Sequence, residues 1–208
     1  MQGRVLIIAG SDSGGGAGIQ ADIKTVTALG GYAATAITAL TAQNTNGVHG
    51  VHEVPPAFVT QQIDVVLDDI GADAIKTGML HSTEVLEAVA AALERAAPDV
   101  PLVVDPVMVA KGGASLLNED TRALLRQGLI PRATVLTPNV PEAEILAEMD
   151  IPDEDAMAVA GRKLLALGPG AVLMKGGHLP GDQVVDLLLT ATGISRSSRC
   201  NREALMAD

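Results

Sequence analysis

The feature that most constrains this chain is an alternation. Short, continuously apolar runs of Val, Ile, Leu and Ala, closed by Gly, Pro, Asp or Asn, are separated by longer segments of helical period. Runs with no polar face suit strands covered on both sides, and helical segments between them suit crossover connections, so the pattern predicts βαβ units and a mostly parallel sheet. Strands are expected over Arg4 to Ala9, Ala33 to Leu40, Asp73 to Lys76, Leu102 to Asp105, Thr134 to Thr137 and Ala171 to Met174. Helices are expected over Ala17 to Leu29, Pro56 to Ile70, Thr83 to Ala97, Glu119 to Leu129, Pro141 to Met149 and Asp153 to Leu167, two of them opening on Pro. Val48 to Val54 alternates and reads as a small edge strand outside the main sheet.

Composition narrows the function classes. The chain has 208 residues, enough for one sizeable core; 48 % are apolar and only 19 % charged, which excludes a disordered segment. Tyr32 and Phe58 are the only aromatics, too few for a base-stacking platform. A formal charge of −11, with no basic run, counts against nucleic acid and anionic membrane as partners but leaves a small phosphorylated ligand open, because backbone amides and a lysine or two can hold phosphate locally. Cys200 is the single cysteine, so no intrachain disulfide is possible. No apolar run is long enough for a secretory or membrane-spanning segment, and a cytoplasmic protein is expected.

In open parallel sheets ligands bind beyond the carboxyl ends of the strands. Those ends carry Gly10-Ser11-Asp12, Thr41-Ala42-Gln43, Thr77-Gly78-Met79, Asp105-Pro106-Val107, Thr137-Pro138-Asn139 and Lys175-Gly176-Gly177. The glycine-rich stretch Gly10 to Gly18 is either a flexible turn or a loop whose backbone amides and following helix N-terminus are left free for a ligand. It fits neither a dinucleotide fingerprint nor a Walker A loop. The Gln43 carboxamide offers a donor beside an acceptor, which complements an aminopyrimidine edge and equally suits capping of the turn that follows. Asn139-x-x-Glu142 is either a helix start with a favourable first-turn carboxylate or, with Asp105, an oxygen set for Mg²⁺. Lys175 is either a snorkelling side chain or a point charge for phosphate oxygens. His49, His52, His81 and His178 have no metal-ligand spacing.

Taken together, Gly10 to Lys24, Ile37 to Thr45, Lys76-Thr-Gly-Met-Leu80, Val104-Asp-Pro-Val-Met108, Thr137-Pro-Asn-Val-Pro-Glu-Ala143 and Val172-Leu-Met-Lys-Gly-Gly-His178 resemble the hydroxymethylpyrimidine/phosphomethylpyrimidine kinases of thiamine biosynthesis, in the ribokinase-like superfamily. The resemblance runs to about Leu189. It implies a three-layer α/β sandwich with a mostly parallel central sheet. It also implies ATP- and Mg²⁺-dependent phosphorylation of 4-amino-5-hydroxymethyl-2-methylpyrimidine, then of its monophosphate, by a homodimer. Carried onto this sequence, Gln43 binds the pyrimidine edge and Gly10, Ala17, Asp22, Met79 and Val107 line the substrate pocket. Asn139 and Lys175 contact ATP phosphates, and Asp105 and Glu142 organise the metal.

Family members continue into a Gly-Thr-Gly-Cys loop that opens a helix and supplies an anion hole and the proposed base. That loop is absent here, and Cys200, between Arg199 and Asn201, does not take the role. The expectation is therefore a kinase domain over 1–192 lacking the C-terminal part of the family fold. An atypical tail over 193–208, basic, poor in apolar residues and read as frameshifted, completes the chain, and the catalytic residue stays unassigned and turnover low. The alternatives are a pyridoxal kinase and a non-catalytic pyrimidine-binding remnant or sensor.

Overall fold

The computed structural model describes residues 3–108 and 119–200. The chain divides into two compact units, Met1–Leu129 and Ile130–Asp208. In the first, β1 (Arg4–Asp12), α1 (Gly18–Ala28), β2 (Tyr32–Asn44), β3 (Gly47–Glu53), α2 (Pro56–Asp69), β4 (Ala74–Thr77), α3 (Thr83–Ala96), β5 (Leu102–Val104) and α4 (Glu119–Leu124) follow in order. The strand order is β3-β2-β1-β4-β5. β1 is parallel to both β2 and β4, and β4 to β5, while β3 returns antiparallel along β2. The fold is α/β with a mostly parallel sheet, as the alternating pattern predicts.

The reason lies in β1. Leu6, Ile7 and Ile8 are fully buried, so successive residues on opposite faces are both covered. Ile7 and Ala9 pack with Ile19 of α1, joined by Val5, Ile23, Val26, Ala33 and Ile37. Each fully buried Leu or Ile contributes about 1.5–3 kcal/mol. At the amino end, Arg4 closes a fork on Asp73, its Nη2 2.8 Å from Oδ1 and its Nε 3.1 Å from Oδ2. The Arg4 guanidinium and backbone amide hold the Asp73 carboxyl down at about 2.

The second unit holds β6 (Val135–Leu136), α5 (Val140–Ala147), α6 (Glu154–Leu165), β7 (Ala171–Lys175), β8 (Gln183–Thr190) and β9 (Gly193–Cys200), with β6 parallel to β7 and the β7-β8-β9 ladder antiparallel.

Four expectations change. The 47–53 strand is not outside the sheet: it hydrogen-bonds along β2 from Ala39 to Asn44 and forms its edge. β2 runs on through Asn44, so Gln43 lies inside a strand rather than after it. The expected helix 119–129 is not one regular α-helix: it is α-helical to Leu124 and continues as the wider π-helix over Leu125–Leu129, where Gly128 stands. The segment expected to be an atypical tail from Gly193 is, through Cys200, strand β9, paired residue for residue with β8. Its arginines are anchored: Arg196 donates from Nε to Glu154 at 2.7 Å, and Arg199 from Nη1 to Asp186 at 2.9 Å. The rest of that tail, 201–208, lies outside the described residues. No helix among the described residues is long and apolar enough to cross a membrane.

Candidate functional site

In the first unit four amides of the glycine loop, those of residues 14 to 17, are already engaged, while no side chain caps the start of α1. Asp12, the last residue of β1 and only 5 % exposed, accepts from the amides of Gly14 (2.7 Å), Ala17 (2.8 Å) and Gly16 (3.0 Å). Its own backbone carbonyl accepts from Gly15 at 2.9 Å. Burial alone would raise the Asp12 carboxyl, but these amides outweigh it and hold the group below its ordinary value. The amide of Asp12 donates to Gln20 Oε1 (2.8 Å), and Gln20 Nε2 donates to Ser11 Oγ (2.7 Å), which ties the loop to α1. Sequence reasoning missed Asp12; an Asp placed two, four and five residues before loop amides is the signal that could have found it.

Replacing Asp12 by Ala is expected to cost about 2–3 kcal/mol, because three amides lose their acceptor at once. The lost stability reads as a lower urea midpoint at unchanged slope. The pH dependence follows the same sign for Asp12 and Asp73. Both carboxyls sit lower in the folded chain than the ~3.9 of an unfolded aspartate, so their stabilisation is complete above that value and is lost as pH falls below it, for Asp73 toward about 2. The thermal midpoint of Asp12→Ala should fall less steeply than that of the parent between pH 4 and 2.

Gln43 is half-buried, and its backbone is clamped to the loop: Ser13 Oγ donates to the Gln43 carbonyl (2.7 Å) and accepts from its amide (2.8 Å). The carboxamide does not cap the following turn. Asn44 does, its Oδ1 accepting from the Asn46 amide at 2.9 Å. Thr41 Oγ1, which donates to the Ser11 carbonyl, lies 3.3 Å from Gln43 Oε1. Gly10 is buried against Met79, whose methyl group fills the space that a Cβ at position 10 would need. The Met79 carbonyl accepts from Thr38 Oγ1 at 2.7 Å. Ala17 is the exposed residue immediately before α1. Asp105 and Val107 line a recess with Thr77, Gly78, Leu80, Leu86, Pro106 and Leu125. Asp22 sits on α1, 2.6 Å from Lys76 Nζ, and the same ammonium is 3.9 Å from Asp105 Oδ2. Lys76 is a second residue that the motif reading did not single out.

In the second unit, Asn139 and Lys175 stand side by side at the ends of neighbouring strands: they form a parallel bridge, and the Lys175 amide donates to the Pro138 carbonyl at 2.9 Å. Glu142, 3 % exposed, completes a reciprocal cap with Asn139: Asn139 Oδ1 accepts from the Glu142 amide (2.9 Å), and Glu142 Oε2 accepts from the Asn139 amide (2.8 Å). The helix-start account of Asn139-x-x-Glu142 is therefore realised. Asp186, opposite Lys175 on β8, accepts from the Gly176 amide at 3.1 Å and so shapes the turn after the lysine.

Among the described residues no three His, Cys, Asp or Glu side chains cluster as a metal cage. Asp105 and Glu142 are hard oxygen donors of the kind Mg²⁺ accepts singly, with phosphate oxygens and water completing its shell. The donor chemistry thus fits a metal brought with a nucleotide rather than one held by protein alone.

The sequence profile of the phosphomethylpyrimidine kinase family matches residues 12–203, a range that takes in β9. The chain is 53 % identical over 195 residues to the thiamine biosynthesis bifunctional protein ThiED of Geobacter sulfurreducens, covering 94 % of this chain and 40 % of that one. It is 50 % identical over 194 residues to the hydroxymethylpyrimidine/phosphomethylpyrimidine kinase of Escherichia coli, covering 92 % and 72 %. Among solved structures, a phosphomethylpyrimidine kinase from Clostridium difficile superposes with a TM-score of 0.85 at 45 % identity, over 93 % of this chain and 83 % of the other. An ADP complex of Bacillus subtilis pyridoxal kinase gives 0.84 at 36 % identity, over 94 % and 74 %. The family profile spans nearly the whole chain and the relatives match at about half identity, so the chain belongs to the phosphomethylpyrimidine kinase family.

Proposed function

We propose that this chain transfers the γ-phosphoryl group of ATP to the hydroxymethyl oxygen of 4-amino-5-hydroxymethyl-2-methylpyrimidine, and then to the monophosphate so formed. Family membership supports the reaction class. The observation that carries the substrate is Gln43: Ser13 clamps its backbone and Asn44 caps the following turn, so the carboxamide, with Thr41 Oγ1 3.3 Å from Oε1, has its Nε2 donor and a second lone pair on Oε1 for a ring amine and ring nitrogen. Gly10, Ala17, Asp22, Met79 and Val107 form the pocket wall in this reading.

In the transfer, the new P–O bond forms to the substrate oxygen as the bond from γ-phosphorus to the β,γ-bridging oxygen breaks, ADP leaves, and the hydroxyl proton passes to solvent water. Such a reaction needs little beyond positioning and charge neutralisation. Lys175 supplies a compact cation for phosphate oxygens, and Asn139 orients beside it. Asp105 and Glu142 would hold Mg²⁺, which neutralises charge on the phosphates. The cation-poor, single-cysteine chain suits a cytoplasmic setting where ATP is abundant, and the exposed β2–β3 edge, with Leu40, Val48 and Val51 in solvent, supports a homodimer.

The test is ADP release by the purified chain with the pyrimidine alcohol, its monophosphate and pyridoxal as acceptors. The expected result is release that depends on the pyrimidine alcohol and exceeds release with pyridoxal. Faster turnover of pyridoxal reverses the substrate assignment, and binding of the pyrimidine without any ADP release refutes turnover.

A further inference from the structure

Lys76 belongs to no part of the reaction assigned above. It stands on β4 beside Ile7 of β1, whose side chain packs against α1, so the strand register sets Lys76 on the α1 face of the sheet. Its ammonium lies between two carboxylates from distant parts of the sequence, 2.6 Å from Asp22 Oδ2 and 3.9 Å from Asp105 Oδ2. The three side chains are 21 %, 24 % and 23 % exposed, so solvent screens them only in part. Gly78 makes the space: a Cβ there would stand 3.2 Å from Nζ. A snorkelling lysine would reach for water. This one reaches for a residue of the pyrimidine pocket wall on one side and a residue of the metal set on the other.

We propose that Lys76 is a positioning residue of the phosphoryl-transfer site, acting through the two carboxylates it joins. The close hydrogen bond orients Asp22, and the longer ion pair draws Asp105 toward the same point. One cation between two anions leaves a single net negative charge where a polyphosphate has to approach, instead of two. The inference rests on the kinase reading above.

The experiment compares the full chain with Lys76→Met, Lys76→Arg, Asp22→Asn and the double variant Asp22→Asn/Lys76→Met. Pyrimidine binding is measured by calorimetry without nucleotide or metal, alongside kcat, KM and the thermal midpoint. Lys76→Met is expected to lower kcat about 30-fold and to weaken pyrimidine binding about tenfold, and Lys76→Arg to recover part of both, since the charge stays while the point geometry changes. Because part of the Lys76 effect runs through Asp22, the loss in the double variant should fall clearly short of the product of the two single losses. Losses that multiply in the double variant overturn the inference. So does a Lys76→Met chain whose thermal midpoint falls while kcat per folded molecule and pyrimidine affinity stay unchanged. Failure of the kinase reading shows in the parent chain, whereas failure of this inference shows only in the variants.

Discussion

Replacing Gly176 by Ala should lower the thermal midpoint by about 6–12 °C, the equivalent of about 3 kcal/mol in a chain of this size. The cause is local and steric. Gly176 follows β7 directly, and a Cβ built on it lands on the backbone carbonyl oxygen of Val185 in β8, far inside van der Waals contact. A flexible side chain could give way, but a ladder carbonyl cannot move without shifting the β7–β8 pairing that runs from Ala171 to Lys175. The Gly176 amide is also engaged, donating to Asp186 Oδ1, so the turn cannot rotate freely out of the clash. Gly177 is the internal control. Its Cβ would meet nothing closer than Val184 Cγ1 at 3.9 Å, and Gly177→Ala should leave the midpoint within about 1 °C of the parent. Equal losses at the two positions, measured by calorimetric melting, would refute the argument.

The other large effect is expected at the neighbouring residue and in turnover rather than stability. Lys175→Ala should reduce kcat by about 10²–10³, the usual consequence of deleting one donor aimed at developing phosphoryl charge. The backbone link at this position, the Lys175 amide donating to the Pro138 carbonyl, is kept by alanine. Arginine should restore part of the rate, since it keeps the charge but not the compact ammonium. Steady-state kinetics over a range of ATP concentrations separates the outcomes: a rise in KM for ATP with kcat intact would make Lys175 a ground-state binder only. The contrast between adjacent positions is itself informative, since 175 should read out in rate and 176 in stability.

Much of this was legible in the sequence because the parallel strands are continuously apolar and their ends are punctuated. β1, β4, β5, β6 and β7 lie within a few residues of their apolar runs, and Asn139 and Lys175 bridge at neighbouring strand ends, whereas Gln43 stands within β2. What stayed hidden depends on partners far along the chain. β9 reads Gly-Ile-Ser-Arg-Ser-Ser-Arg-Cys and is exposed throughout; it has no buried face to impose a period, and it exists through its ladder to β8 and its arginine–carboxylate pairs. Charged, small residues on an edge strand also discourage unwanted pairing, which makes such a strand look like coil in sequence. Lys76 was hidden for a similar reason: Asp22 is 54 positions away, and only the β1–β4 register brings them together. The Asn139-x-x-Glu142 spacing was visible, but spacing alone could not separate a helix cap from a metal ligand. Asp12 was concealed by the glycines around it, which suggested openness where the carboxylate had already taken the donors.

That last arrangement has a consequence for recognition. Segments this rich in glycine ordinarily sample many shapes, and a guest that had to freeze one would lose affinity to the lost chain entropy. Here an aspartate inside the protein does the freezing during folding, before any guest arrives. The loop beside Gln43 is thus set in one shape in advance, and the carboxylate that its amides hold belongs to the polypeptide itself.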